Sequence, residues 1–309
     1  FLPPAAAEGN TAMIFVAKAH AKLNLTMEVL GKRTDGYHDI ASLMEFISLA
    51  DKLELEEAET FSFWCNDKAL CGEDNLAVRA YRLLEQRYAV APLAIRLYKR
   101  IPCQSGMGGG SADAAAVLHA TCALSGITLT QPQLCELGRT LGADVPACIL
   151  GGRLLAEGIG QRLTPLQQTE ALHFVVLMPK VAFSTPEMYR RMDEGGQFAA
   201  PTDRQQILDT ASAGSPAAIA ALLRNSFEAV ATPTQAIETA KRRLLESGAL
   251  GAAMTGAGSA VFGIYKDSAA ADSAYAQLLE SKPKRDGSKL YRCRSMVKKP
   301  GKERNKCLD

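Results

Sequence analysis

The sequence lacks the features that mark several large classes of protein. None of its eight cysteines belongs to a C-x-x-C pair, the spacing that zinc sites and dithiol redox motifs use. No apolar stretch approaches the roughly 18 to 20 residues that a transmembrane helix needs. Lysine and arginine number 35 against 33 aspartates and glutamates, so no broad basic field is available for nucleic acid. We therefore expect a cytoplasmic protein with reduced, mostly buried thiols and no membrane or nucleic acid partner.

The signatures of the best-known nucleotide-binding folds are missing too. The chain contains no G-x-x-x-x-G-K-[ST] P-loop, and Gly106 and Gly108 lack the third glycine of a dinucleotide fingerprint. It contains neither the histidine-arginine-aspartate nor the aspartate-phenylalanine-glycine signature of protein kinases. A nucleotide site in this chain is therefore expected to follow another design.

The length allows one large domain or two ordinary ones, and we expect two, over 13–168 and 169–297. Residues 1–12 carry two prolines and four alanines without a basic n-region, which predicts a leader outside the fold. Residues 298–309 are predicted to form a solvated basic tail. Strands and helices mix without regular βαβ alternation, and this mixture favours an α+β fold.

An alternating segment opens the first domain. From Ala17 to Val29 the odd positions are apolar and the even positions are polar. This period of two predicts a strand, or a bent strand pair, with one wet face. Lys22 and Asn24 then project the same way, toward solvent or a cleft.

Three further local predictions concern the segments around this strand. Residues 42–55 are predicted as more strand, with Asp51 and Lys52 as its interruption. Asp74 is predicted to cap the helix that follows it, because aspartate is a preferred N-cap residue. In the second half of the chain, an alanine-rich helix is predicted over 216–232.

The strongest local feature is the loop over 105–111, which reads Ser-Gly-Met-Gly-Gly-Gly-Ser. A predicted strand over 93–98 precedes it, and an alanine-rich helix from about Ala112 to Leu124 follows. Small residues let backbone N–H groups approach an anion, and the helix N-terminus adds a favourable dipole. The order of strand, glycine loop and helix predicts a phosphate cradle, although similar runs also serve as plain turns.

A second loop, Gly-Ala-Asp-Val-Pro, carries Asp144. It follows a helix that Thr130 and Gln133 begin with a capping box and that Gly142 ends. Taken singly, Asp144 and Lys22 have ordinary structural explanations, and so does the glycine-containing segment 255–259.

The motifs become specific when they are taken together and in order. They are 21–25 (AKLNL), 35–38 (DGYH), 74–76 (DNL), 99–102 (KRIP), 106–115, 141–146 with 156–158 (AEG), and 254–262. With them the chain resembles the 4-diphosphocytidyl-2-C-methyl-D-erythritol kinases, a family of the galactokinase, homoserine kinase, mevalonate kinase and phosphomevalonate kinase superfamily. The resemblance covers about 19–297. Its Gly-Tyr-His element and Gly-Ala-Asp-Val-Pro loop point to the cytidine-bearing substrate.

The resemblance implies an activity and a fold. The activity is ATP- and Mg²⁺-dependent phosphorylation of the 2-hydroxyl of 4-diphosphocytidyl-2-C-methyl-D-erythritol, in the non-mevalonate pathway to isoprenoid precursors. The fold is an N-terminal ATP-binding domain like the second domain of ribosomal protein S5 and a ferredoxin-like C-terminal substrate domain. The active site would lie in the cleft between them.

The resemblance also implies a role for each matching residue. Lys22 and Asp144 would act at the reacting hydroxyl. Tyr37 and Tyr189 would sandwich the cytosine, His38 would hydrogen-bond its edge, and Asn24 would contact the substrate near the hydroxyl. The residues expected to bind ATP are Asn75, Lys99, Pro102, Gly106, Gly108, Gly109, Gly110 and Ser111.

One departure from the family pattern concerns the end of the glycine loop. The family commonly has two serines there, whereas the second position here is Ala112, so one hydroxyl contact to phosphate or magnesium is missing. The sequence predicts neither the protein ligands of magnesium nor the oligomeric state. Two alternatives stay open: another kinase of the superfamily, acting on mevalonate, phosphomevalonate or homoserine, and a non-enzymatic RNA-binding or sensor protein with the S5-like fold.

Overall fold

The computed structural model describes residues 14–168, 170–196, 198–213, 215–281 and 287–297. The predicted leader over 1–12 and the predicted basic tail over 298–309 lie outside the described residues. In the part that is described, no helix is both long and apolar enough to cross a membrane.

The alternating segment forms two strands, β1 (Phe15–Asn24) and β2 (Thr26–Lys32), both antiparallel to β3 (His38–Glu57). The bent strand pair is therefore confirmed, but its predicted wet face is exposed to solvent only near the start, at Lys18 and in part at His20, whereas Lys22 and Asn24 face a cleft. Lys22 is only 4% exposed and Asn24 only 1%. Residues from distant parts of the chain cover this face, among them Thr255, whose Oγ1 accepts a hydrogen bond from the Asn24 N–H at 2.9 Å.

β3 is the central strand of the first sheet, and it runs for 20 residues. The predicted interruption at Asp51 and Lys52 is wrong, because Lys52 pairs with Lys18 on one side and Tyr98 on the other. The remaining strands of this sheet are β4 (Ser62–Cys65), β5 (Leu93–Tyr98), β6 (Arg153–Gly158), β7 (Arg162–Leu166) and β9 (Arg224–Asn225).

Four helices pack against this sheet: α1 (Leu76–Glu85), α2 (Gly109–Leu124), α3 (Gln131–Leu141) and α4 (Val145–Leu150). Asn75, and not the predicted Asp74, caps α1, because its side chain accepts from the Ala77 N–H. The capping box of Thr130 and Gln133 is confirmed. α2 begins at Gly109, three residues before the predicted start, because the left-handed Gly108 serves as its N-cap.

The second sheet is antiparallel, with its strands in the order β10 (Gly251–Met254), β11 (Val261–Tyr265), β8 (His173–Met178) and β12 (Lys289–Arg294). The helices of this half are α5 (Thr185–Gly195), α6 (Arg204–Ala213), α7 (Pro216–Ala221), α8 (Thr234–Glu246) and α9 (Ser268–Glu280). The predicted boundary at 168 falls between β7 and β8, although β9 returns to pair with β2 in the first sheet.

The single helix predicted over 216–232 is wrong, because α7 ends at Ala221. The chain then forms β9, which contains Asn225. The Asn225 side chain donates to the carbonyl oxygens of Met254 and Gly256 at 2.7 and 2.8 Å. Asn225 of β9 therefore holds the turn after β10 in place.

One apolar core joins the two sheets and so positions the site between them. It contains buried residues of β1 and β3, such as Leu23 and Ile47, together with Phe174 and Phe262 of the second sheet. Met107 of the glycine loop is buried in the same core. The loop is thereby fixed against both halves of the chain.

Candidate active site

A cavity of about 610 Å³ opens where the glycine loop, the end of β1 and the loop before α4 meet. Residues from both predicted domains, 13–168 and 169–297, line the cavity. The second range contributes Thr185, Phe227 and Gly256, among others. The lining contains both predicted catalytic residues, all eight predicted ATP-binding residues, and Asn24 and Tyr189. Tyr37 and His38 are outside the lining.

The glycine loop adopts a conformation that depends on its glycines. Gly106 and Gly108 have φ values of +75° and +69°, in the left-handed region that L side chains rarely adopt. A Cβ atom on Gly106 would lie 2.0 Å from the Thr255 carbonyl oxygen, and one on Gly108 would lie 3.1 Å from Lys22 Cγ. The loop backbone thus lies so close to β1 and to the turn after β10 that a side chain at Gly106 would collide with the turn and one at Gly108 would crowd Lys22.

α2 begins directly at this loop. The first N–H groups of a helix have no intrahelical partner, and here Gly109, Gly110 and Ser111 occupy those positions. Together with the helix dipole they form a site for an anion such as a phosphate group. All three residues line the cavity, at the place where the sequence predicts a phosphate cradle.

We predict that Gly108→Val raises the KM for ATP by about 5- to 30-fold. A left-handed conformation costs an L residue roughly 1 to 2 kcal/mol, and relief of that strain would move the loop amides. Steady-state kinetics at varied ATP measure the effect, with circular dichroism to check the fold. Gly126→Val is the matched control, since Gly126 has a similar φ of +64° but open space around it. An ATP KM that stays at the wild-type value would contradict the cradle.

Lys22 and Asp144 meet across the cavity. Lys22 Nζ lies 3.5 Å from Asp144 Oδ2 and 2.5 Å from Asn24 Oδ1. Asn24 is fixed in turn, since its Nδ2 donates to Ser42 Oγ at 2.7 Å. The Asp144 side chain remains partly exposed beside the almost fully buried lysine. The arrangement offers a positioned ammonium group next to a carboxylate that can reach a substrate.

The predicted ATP-binding Lys99 lies in a buried ionic cluster that sequence reasoning missed. Its Nζ donates to Asp51 Oδ2 at 2.5 Å and to Asp113 Oδ2 at 2.7 Å. Burial opposes the charge of Lys99, but attraction to Asp113 and Asp51 outweighs it and raises the pKa of the lysine. Two signals were present in the sequence: an aspartate inside an alternating strand, and one acidic residue in the alanine-rich α2.

Two of the three residues expected to recognise cytosine, His38 and Tyr189, are in contact, and Tyr189 lines the cavity. The His38 ring stacks on Tyr189 with centroids 4.5 Å apart, and Tyr37 is 61% exposed. His38 Nε2 lies 2.7 Å from Asp193 Oδ1, a partner that the sequence did not suggest. Burial, with a contribution from Asp144, raises the pKa of Tyr189 to about 12, so its hydroxyl stays neutral.

Comparison with known proteins defines the class first. Residues 75–152 match the domain described as GHMP kinases N terminal domain, and residues 207–284 match the domain described as GHMP kinases C terminal. A crystal structure of L. major mevalonate kinase shares the fold, with a TM-score of 0.67 over 92% of this chain and 97% of that one at 16% identity. The chain therefore has the fold of a GHMP kinase.

Closer relatives identify the particular family. The 4-diphosphocytidyl-2-C-methyl-D-erythritol kinase of Thermoanaerobacter pseudethanolicus is 38% identical, over 85% of this chain and 91% of its own. That of Pelotomaculum thermopropionicum is 40% identical, over 82% and 90%. A crystal structure of 4-(cytidine 5'-diphospho)-2C-methyl-D-erythritol kinase matches with a TM-score of 0.75 and 33% identity, over 91% and 98%. The chain belongs to the 4-diphosphocytidyl-2-C-methyl-D-erythritol kinase family.

Proposed function

We propose that the chain transfers the γ-phosphoryl group of ATP to the 2-hydroxyl of 4-diphosphocytidyl-2-C-methyl-D-erythritol. The observation that carries this proposal is the single cavity that brings Lys22 and Asp144 next to the N-terminus of α2. We further propose that the N-terminal half is S5-like and the C-terminal half ferredoxin-like, with the active site in the cleft between them. The reaction is assigned to the cytoplasm, because the seven cysteines among the described residues are all free thiols.

In the proposed reaction the hydroxyl oxygen bonds to the γ-phosphorus while the bond to the β,γ-bridging oxygen breaks and ADP leaves. The transition state is loose, with charge on the equatorial oxygens, so positioning and electrostatics provide most of the catalysis. Lys22 and the amides of Gly109 and Gly110 would stabilise that charge. Asp144 would orient the hydroxyl and accept its proton.

A magnesium ion would supply further neutralisation of the phosphate charge. Among the described residues, no group of three or more histidine, cysteine, aspartate or glutamate side chains could hold a metal ion. Magnesium usually keeps several waters and is often bound largely through substrate phosphates. We therefore propose that it enters with ATP, and we assign it no residue of this chain.

The proposed function is tested by the rate of ADP release with three acceptors: the cytidine substrate, mevalonate and homoserine. We expect ADP release with the cytidine substrate and not with mevalonate or homoserine. Turnover with mevalonate or homoserine in its place would assign the chain to another activity of the superfamily. If ADP is released with none of the three acceptors, the proposed acceptor is wrong.

We predict that Tyr37→Ala raises the KM for the cytidine substrate about 5- to 150-fold and spares the KM for ATP. A base stacked on an aromatic side chain is worth roughly 1 to 3 kcal/mol, and Tyr37 is 61% exposed. Because His38 covers one face of Tyr189, a base held between the two tyrosines takes the other face or displaces His38.

Tyr37→Phe is the control for this prediction, since it keeps the ring and loses only the hydroxyl. CMP and CDP are expected to compete with the cytidine substrate and not with ATP. An equal loss for both substrates, or no inhibition by millimolar CMP, would remove the cytosine assignment.

A further inference from the structure

Asp113 has no part in the reaction proposed above, yet its side chain lines the same cavity. It lies in the second turn of α2 and is only 2% exposed. One carboxyl oxygen, Oδ2, accepts from Lys99 Nζ at 2.7 Å. The other, Oδ1, is buried and has no hydrogen-bond partner among the described residues. A buried polar atom without a partner is costly, so this oxygen calls for an explanation.

The charges of the neighbouring groups indicate whether Asp113 is ionised. Asp51 Oδ1 accepts from the N–H groups of Arg100 and Ile101 at 2.5 and 2.8 Å, and its Oδ2 accepts from Lys99. Asp51 is therefore well supported as an anion, and it neutralises the only lysine of the cluster. A second buried anion would have no counter-charge. Asp113 fits the cluster as a neutral acid, because an unpartnered neutral oxygen costs much less to bury than an unpaired charge.

The pKa of Asp113 agrees with this assignment. Burial raises it to about 8, and repulsion from Asp51 adds to the effect of burial against the attraction of Lys99. Among the described residues, the thiols of Cys65, Cys103 and Cys148 also interact with Asp113, and burial raises their own pKa values. Asp113 is thus the group of this cluster that changes charge just above neutral pH.

The cluster lies next to the proposed phosphate site. Lys99 Nζ is 3.2 Å from the position that a Cβ atom on Gly109 would take, and Gly109 is the first residue of α2. We propose that Asp113 is a positioning residue for ATP: as a neutral acid it holds Lys99 beside the phosphate loop without adding negative charge, and its ionisation weakens nucleotide binding. This inference rests on the proposed function, because it assumes that ATP occupies the loop.

The test measures the dissociation constant of ATP by calorimetry from pH 7 to 9, without acceptor substrate. In the wild type the constant is expected to rise about 10-fold as pH passes 8, the order expected for one unit charge near the triphosphate at an effective dielectric constant of about 20. Asp113→Asn keeps the shape and cannot ionise, so its profile is expected to be flat. Asp74→Asn, an exposed carboxyl on the same cavity, is the control and keeps the wild-type slope.

A second measurement uses only the wild type and so does not depend on how the variant folds. In two buffers with different heats of ionisation, ATP binding near pH 8 is expected to take up protons, because bound nucleotide favours the acid form of Asp113. Absence of this uptake, or a wild-type slope in Asp113→Asn, overturns the inference. Failure of ATP to bind at any pH would instead overturn the proposed function.

Discussion

Asp144→Asn is expected to lower kcat by about 10² to 10⁴, the range for removing a positioned proton acceptor. Asparagine keeps the shape of the side chain but cannot take the proton of the attacking hydroxyl. Because Asp144 lies at the cavity wall 3.5 Å from Lys22, its replacement leaves the glycine loop intact, and the KM for ATP should change little. The coupled ADP-release assay at saturating substrates measures the effect. A kcat within a few-fold of the wild-type value would exclude Asp144 from the proton transfer.

The pairing of Asp144 with Lys22 is tested by the double variant. Groups that act as one unit give losses far smaller than the product of the single losses. Asp144→Asn with Lys22→Met is therefore expected to cost little more than the more harmful single change. Lys52→Met is the control, since Lys52 forms a similar ion pair with Glu54 on the exposed side of β3. Strictly multiplicative losses would mean that Lys22 and Asp144 act independently.

The sequence predicted the strands of the site better than their surroundings. Alternation over 17–29 shows that the two faces of a strand differ, but it does not show what covers each face. Asn24 is buried because Thr255, more than 200 residues away in the chain, contacts it, and Lys22 is buried because the glycine loop lies against it. Asp51 resembled an interruption for the same reason, because only the fold shows that Lys99 meets it.

Apart from those of the glycine loop, the site residues were predicted through the order of motifs and not through local pattern. The loop over 105–111 predicts an anion site from its own segment, because the glycine spacing and the following helix are both visible in the local sequence. The contacts of His38 and Lys99 are not local, because Asp193 and Asp113 reach them from other elements. The predicted domain boundaries remain predictions, and so do the roles of individual residues, which the experiments above test.

A buried ion pair away from the cavity gives the largest expected effect on stability. Arg153 of β6 and Glu45 of β3 are both fully enclosed, and Arg153 Nε lies 2.5 Å from Glu45 Oε2. Arg153 Nη1 also donates to the Ala211 carbonyl oxygen at 2.5 Å, and Gln168 donates to Glu45. The arginine thus ties the first sheet to α6 in the second half of the chain.

Arg153→Met is expected to lower the free energy of unfolding by about 3 to 5 kcal/mol, the usual loss when one partner of a buried pair is removed. The loss arises because Glu45 is left as a buried carboxylate without a counter-charge. Urea titration followed by circular dichroism measures it. Arg190→Met is the control and should change stability little, since Arg190 pairs with Glu187 at the surface.

The pH dependence of the stability loss shows whether the unpaired Glu45 carboxylate causes it. Burial already raises the pKa of Glu45 in the folded protein, and loss of Arg153 raises it further. A raised folded pKa means that stability is retained at low pH and lost as pH rises through that pKa. The deficit of Arg153→Met is therefore expected to shrink as pH falls from 8 toward 5, and adding Glu45→Gln should recover part of it at pH 8. A deficit that is independent of pH and unaffected by Glu45→Gln would mean that lost packing, and not the unpaired carboxylate, destabilises the variant.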